Sequence, residues 1–78
     1  MSTFRKCAQA ISNLARPHAP IDIQITTAGP VQWHLDGKRV APLRTRIIYE
    51  RQGGLEKRVA DVLCTLNENG RVLGITDR

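Results

Sequence analysis

The sequence predicts an α+β domain in which one N-terminal helix packs on an antiparallel β-meander of about five strands. Three observations support this class: an early apolar stripe with helical spacing, later runs that alternate apolar and polar residues, and glycine-containing turns between those runs. The 78 residues form a single small domain, 1–78, with a limited core. Hydrophobic residues make up 41% of the chain, which is typical of a globular protein.

The first element is an amphipathic helix. Its apolar residues recur at intervals of three and four, which places them on one helical face. Ser2 or Thr3 can cap the start, and Pro17 ends the helix because the residue before a proline is pushed out of helical geometry. The apolar stripe consists of Phe4, Cys7, Ala8, Ile11, Leu14 and Ala15.

Two alternating runs follow the helix. Residues 21–26 place three isoleucines on one face and polar residues on the other, which predicts a half-buried strand. In the next run, Val31, Trp33 and Leu35 alternate with Gln32 and His34, which predicts a second strand. We expect Trp33 to point into the core.

Asp36-Gly37 lies between alternating runs and predicts a tight hairpin turn in which both residues have positive φ. Counting outward from a two-residue turn gives the register of the hairpin. In that register Trp33 shares the inner face with its partner Val40. The predicted pairs are Leu35 with Lys38, His34 with Arg39, Trp33 with Val40, and Gln32 with Ala41.

The next run, 43–51, alternates arginines with apolar or β-branched residues. Pro42 cannot donate to a ladder, so we expect a bulge or a strand end there. If that bulge keeps Leu43 inward, Arg44 and Arg46 lie on the outer face and Tyr49 lies inward.

Residues 55–66 fit two patterns. Alternation over 62–66 and the loop Asn67-Glu68-Asn69-Gly70 favour a β-hairpin with Gly70 in the left-handed conformation. A helical stripe fits the same segment, with Gly70 as its C-terminal cap, and the architecture would then be αβββαβ in two layers. Residues 71–76 are predicted to form a strand under both alternatives.

The charge balance favours an acidic partner. Twelve Lys and Arg against seven Asp and Glu give a net charge of +5 and a pI near 10. Nucleic acid and acidic protein surfaces both suit such a domain. No apolar run approaches the roughly 20 residues that span a bilayer, so no membrane span is expected.

No catalytic motif, metal-ligand spacing or cofactor fingerprint occurs, so we expect a non-enzymatic protein without cofactor or metal. Cys7 and Cys64 both fall on predicted apolar faces, where a free cysteine acts as a small hydrophobic residue. One possible bridge does not make a disulfide scaffold, so we expect both to be reduced in a cytoplasmic protein.

The predicted binding site is the outer face of the sheet. Clustered guanidinium groups suit phosphate contacts, which give affinity without sequence specificity. The alternative is a protein inhibitor or adaptor that blocks a nucleic-acid-handling protein, and homo-oligomers could form if the arginine strand lies at an edge. The site residues are Arg39, Arg44, Arg46, His34 and Gln32, with Lys57 and Arg58 as a second basic cluster.

The order of a helix followed by a curled meander is similar to the outline of cystatin-like and NTF2-like folds. The similarity covers the order of elements, and no residue of this chain is matched to a site in either family. It implies a further alternative function as a small enzyme or enzyme subunit.

Overall fold

The computed structural model describes residues 2–77 and confirms the α+β class, with one helix packed on an antiparallel sheet of five strands. The sheet order is β1-β3-β4-β5, and the short β2 pairs with β3. The molecule measures 49 × 20 × 18 Å. The elements are helix α1 (Thr3–Ala15) and strands β1 (Pro20–Thr27), β2 (Gln32–Trp33), β3 (Arg39–Arg51), β4 (Gly54–Leu66) and β5 (Val72–Asp77).

Helix α1 begins and ends where its sequence predicts. The side chain of Ser2 caps it by accepting a hydrogen bond from the backbone N–H of Arg5, at 3.2 Å. A single 3₁₀ turn at Arg16–His18 carries Pro17 and leads to Ala19, whose left-handed backbone redirects the chain into β1. The helix buries Cys7, Ile11 and Ala15 of its apolar stripe and leaves Phe4 and Leu14 exposed.

Residues 55–66 are a strand, so the αβββαβ alternative is wrong. β3 and β4 pair over thirteen residues each, from Arg39 opposite Leu66 to Arg51 opposite Gly54. A strand advances about 3.3 Å per residue, so this hairpin accounts for most of the length of the molecule. The loop before β5 is the predicted one, with Gly70 at φ 83°.

Pro42 causes neither a bulge nor a strand end, contrary to expectation. The β3–β4 register continues through Pro42 opposite Leu63. The carbonyl of Pro42 accepts a hydrogen bond from Ala28 N at 3.0 Å, on the side of β3 away from β4. The missing N–H of Pro42 faces that same side, between the ends of β1 and β2, so no β3–β4 hydrogen bond is lost.

The hairpin around Asp36-Gly37 differs from the predicted one by one residue. Gly37 N donates to His34 O at 3.0 Å and His34 N donates to Lys38 O at 2.8 Å. The loop therefore has three residues, with Gly37 alone at positive φ, as in a type I turn with a bulge. Trp33 consequently pairs with Arg39 instead of Val40, and Gln32 pairs with Val40 instead of Ala41.

This one-residue change leaves Trp33 on the helix side, now opposite Arg39, and places Val40 on the outer face opposite Gln32. Trp33 is 70% exposed, and Val31 and Leu35 are exposed as well. The expectation that Trp33 points into the core is therefore wrong, although its side chain lies on the helix side, whereas Tyr49 is buried as predicted. Ile21 is also exposed, because the β1 register shifts between Pro20 and Asp22.

The core lies between α1 and one face of the sheet. Odd-numbered residues of β3 and even-numbered residues of β4 face the helix. The buried cluster comprises Cys7, Ile11, Ala41, Leu43, Val62, Cys64 and Leu66, with Ile25, Val72 and Ile75 packed against it.

Cys7 and Cys64 form a disulfide that joins the helix to β4, so the expectation of two free cysteines is wrong. Both side chains are fully buried, as their apolar positions predicted. The sequence does not show that the helical stripe places Cys7 directly over Cys64, because the two are 57 positions apart.

Within residues 2–77, no helix is long and apolar enough to cross a membrane.

Candidate functional site

The residues of the predicted site lie on two opposite faces of the sheet. Arg44 and Arg46 alternate with the buried residues of β3 and therefore lie on the outer face. Gln32 joins that face because it pairs with Val40. Arg39 lies on the helix side, and His34 lies in the loop at the end of β2.

The outer face is balanced in charge. Arg44 donates two hydrogen bonds to Asp61 on the neighbouring strand, from Nε at 2.9 Å and from Nη2 at 3.4 Å. These hydrogen bonds and the charge of Asp61 raise the pKa of Arg44. The pair leaves Arg44 less able to bind a second anion. Asp22 and Glu50 further offset the positive charge of this face.

Arg46 forms no salt bridge within residues 2–77. It lies between Gln24 on β1 and Val59 on β4. The predicted arginine pair therefore divides into one partnered guanidinium and one that faces solvent.

On the helix side, Arg39 connects three elements. Its Nη1 donates to Thr3 Oγ1 at 3.0 Å, at the start of α1, and its Nη2 lies 3.5 Å from Asn67 O in the β4–β5 loop. Its guanidinium also lies over the ring of Trp33, 5.0 Å from the centroid. The Nε atom is buried and has no hydrogen-bond partner within the described residues.

Lys6 approaches Arg39 next to Gly70. The point that a Cβ on Gly70 would occupy is 2.7 Å from Lys6 Nζ and 3.0 Å from Arg39 Nη2. The two cationic atoms are therefore at most 5.7 Å apart, which is the sum of those distances. Among residues 2–77, no carboxylate forms a salt bridge with either side chain. Gly70 makes this approach possible because it has no side chain.

We name Lys6, Trp33 and Arg39 the end cluster. Two neighbouring cations without a carboxylate repel each other, and a bound anion would relieve that repulsion. The indole of Trp33 has Arg39 on one face and is largely exposed elsewhere. The end cluster thus combines paired positive charge with an aromatic surface open to solvent.

The sequence contained a signal for this cluster. Residues 2–21 carry Arg5, Lys6 and Arg16 and no acid. The alternation of Val31, Trp33 and Leu35 predicts a buried Trp33, and so the aromatic member was missed.

The second basic cluster is divided between faces. Arg58 donates from Nε to Glu56 Oε1 at 2.9 Å, and Tyr49 lies under both Arg51 and Arg58, 4.6 and 6.0 Å from their guanidinium carbons. Lys57 lies on the outer face, since the side chains of neighbouring residues in a strand alternate. The predicted pair of Lys57 and Arg58 therefore does not form one patch.

Asp36 organises the loop beside the end cluster. Its carboxylate accepts a hydrogen bond from Lys38 N at 3.0 Å, and this bond lowers the pKa of Asp36. Within the described part of the chain, no three His, Cys, Asp or Glu residues are grouped to hold a metal ion.

No protein-family model matches the chain, and no curated protein or solved structure matches it either.

Proposed function

We propose that this protein is a small basic non-enzymatic binding protein that engages nucleic-acid phosphates through the end cluster. The observation that carries the proposal is the approach of Lys6 and Arg39 to one point beside Gly70, with no salt bridge to a carboxylate of residues 2–77. A phosphate oxygen is the ligand that such a pair of donors favours, because charge-assisted hydrogen bonds are stronger than neutral ones.

The exposed face of Trp33 favours nucleic acid over an acidic protein surface. A base can stack on the indole while its phosphate meets the neighbouring cations, and this combination is typical of single-strand binding. An acidic protein patch would use the cations and would gain less from an exposed aromatic ring. We therefore propose single-stranded nucleic acid, bound without strong sequence preference.

The role as a protein inhibitor or adaptor stays the alternative. It requires the same positive charge but no nucleic-acid affinity, so a measurement of oligonucleotide binding distinguishes the two roles. The predicted interface through Arg44 and Arg46 is the second possibility for where binding occurs.

The proposal predicts salt-dependent binding of a generic single-stranded oligonucleotide. With two or three phosphates neutralised, affinity should fall by about tenfold between 50 and 200 mM salt, since each contact releases counterions. Fluorescence anisotropy at both salt concentrations measures this fall. No binding of single-stranded or duplex nucleic acid at the lower salt would contradict the proposal and favour the protein partner.

Two variants locate the binding surface. Lys6→Glu should weaken binding and make the salt dependence shallower, and Trp33→Ala should cost about 1–3 kcal/mol for one lost stacked base. Arg46→Glu is the matched control, because it makes the same charge change on the outer face. If Arg46→Glu weakens binding and Lys6→Glu does not, the outer face is the interface and the end cluster is not.

The disulfide bears on the proposed cytoplasmic location, because disulfides are rare in cytosolic proteins. Cytosolic thiols are ordinarily held reduced, whereas disulfides persist in oxidising compartments. Titration of free thiols in protein isolated under alkylating conditions tests the location: two free thiols support the cytoplasm, and none favours an oxidising compartment.

A further inference from the structure

The β3–β4 hairpin ends in a two-stranded ribbon with an open edge. β5 pairs with β4 from Val62 to Leu66, and residues 54–60 pair with β3 alone within the described chain. β1 reaches only to Tyr49 on β3, which leaves residues 50–55 with no third strand. Two-stranded ribbons are marginally stable in water, and a further strand would stabilise this one.

Along this edge, alternate residues of β4 direct their backbone N–H and C=O groups toward β3 and away from it. Arg51 and Gly54 face each other across a two-residue turn, so they and every second pair after them exchange backbone hydrogen bonds. Pro42 fits this alternation, because its carbonyl accepts from Ala28 N on the side away from β4. Leu55, Lys57 and Val59 therefore turn their N–H and C=O groups toward the open edge.

We propose that this edge pairs with the same edge of a second copy, antiparallel, with Lys57 on the two-fold axis. This register matches odd residues with odd residues, as the phase of the hydrogen bonds requires. It brings Leu55 opposite Val59 of the second copy on the outer face. On the helix side it brings Glu56 opposite Arg58 of the second copy.

The side chains favour this register. Leu55 and Val59 are 69% and 57% exposed in the single chain, and pairing would cover both. Glu56 and Arg58 are opposite charges and meet twice across the axis. The one unfavourable pair is Lys57 with Lys57 of the second copy, where like charges face each other.

The location of this edge differs from the predicted one. The sequence allows oligomers through the arginine strand only if that strand lies at a sheet edge, but β3 lies between β1 and β4 in the described chain. The proposed interface uses β4 instead. It does not depend on the nucleic-acid proposal, because it lies at the other end of the β3–β4 hairpin from the end cluster.

The test is the mass in solution, measured by sedimentation or light scattering over a range of protein concentrations. We expect the mass to rise to twice the 8.7 kDa of the single chain. Glu56→Arg and Arg58→Glu each place like charges across the axis, so each variant alone should stay at the single-chain mass. An equal mixture of the two variants should recover the doubled mass, because every facing pair is again opposite in charge.

The mixture is informative because contacts within one chain cannot produce recovery. Lys57→Thr should strengthen the dimer several-fold by removing the like-charge pair. A single-chain mass at millimolar concentration for both the unmodified protein and Lys57→Thr would overturn the proposal. A dimer that persists in both Glu56→Arg and Arg58→Glu would also overturn the proposal, because it would form through another surface such as the edge of β1.

Discussion

Reduction of the Cys7–Cys64 disulfide is expected to lower the free energy of unfolding by about 4 kcal/mol, because the bond closes a long loop in the unfolded chain. The two cysteines are 57 positions apart. A domain of this length has a total stability of about 4–12 kcal/mol. Loss of the bond would therefore remove a large part of the stability, and a substantial fraction of the protein could unfold.

The structural reason is the small area that holds the helix. Helix α1 buries only Cys7, Ile11 and Ala15 against the sheet. The disulfide fixes one of these three to the centre of β4, at a fully buried position. Reduction leaves a packed pair of thiols, so the helix can still dock, but the unfolded chain regains its freedom.

Urea unfolding followed by circular dichroism, with and without reductant, measures the change. The control is the Cys7→Ala/Cys64→Ala double variant, whose unfolding midpoint should not respond to reductant. Free thiols are quantified in both samples. An equal unfolding midpoint for oxidised and reduced protein would show that the disulfide does not stabilise the fold by constraining the unfolded chain.

Leu43→Ala is expected to lower the free energy of unfolding by about 2–5 kcal/mol, because it leaves a cavity in a small core. Leu43 is 1% exposed and lies within the buried cluster between α1 and the sheet. It lies on β3, which pairs with β1 and β4 on its two sides at this position. The backbone is thus fixed by both neighbours and cannot move to fill the space.

The matched control is Leu35→Ala, which makes the same chemical change at a fully exposed position in the β2–β3 loop. We expect it to change the free energy of unfolding by less than about 0.5 kcal/mol. Both variants are measured by urea unfolding in oxidised protein. A loss at Leu43 no larger than that at Leu35 would mean that this part of the sheet is not the core.

Local patterns predicted most of the elements. The helix, its cap, the first strand and the loop at Gly70 all follow from spacing and turn chemistry within a few residues of each other. The choice of strand over helix for β4 was also correct, although its spacing fits both. These features depend on interactions between near neighbours, which a sequence displays directly.

The predicted site depended on the register of one turn. With Leu35 as a third loop residue and no bulge at Pro42, Arg39 lies on the helix side opposite Trp33, away from Arg44 and Arg46. A shift of one residue exchanges the faces of a strand, so the errors at the turn and at Pro42 exchanged the predicted faces of Arg39 and Val40. Lys6 could not be included, because its closeness to Arg39 depends on how the helix crosses the sheet.

The sequence by itself determined the class of the fold, the position of nearly every element and the positive charge of the chain, because these follow from composition and local periodicity. Only the tertiary structure decided the Cys7–Cys64 pairing, the division of the arginines between two faces and the open edge of β4. Each of these joins residues far apart in the chain. Their closeness is set by strand register and helix packing, which no short stretch of sequence specifies.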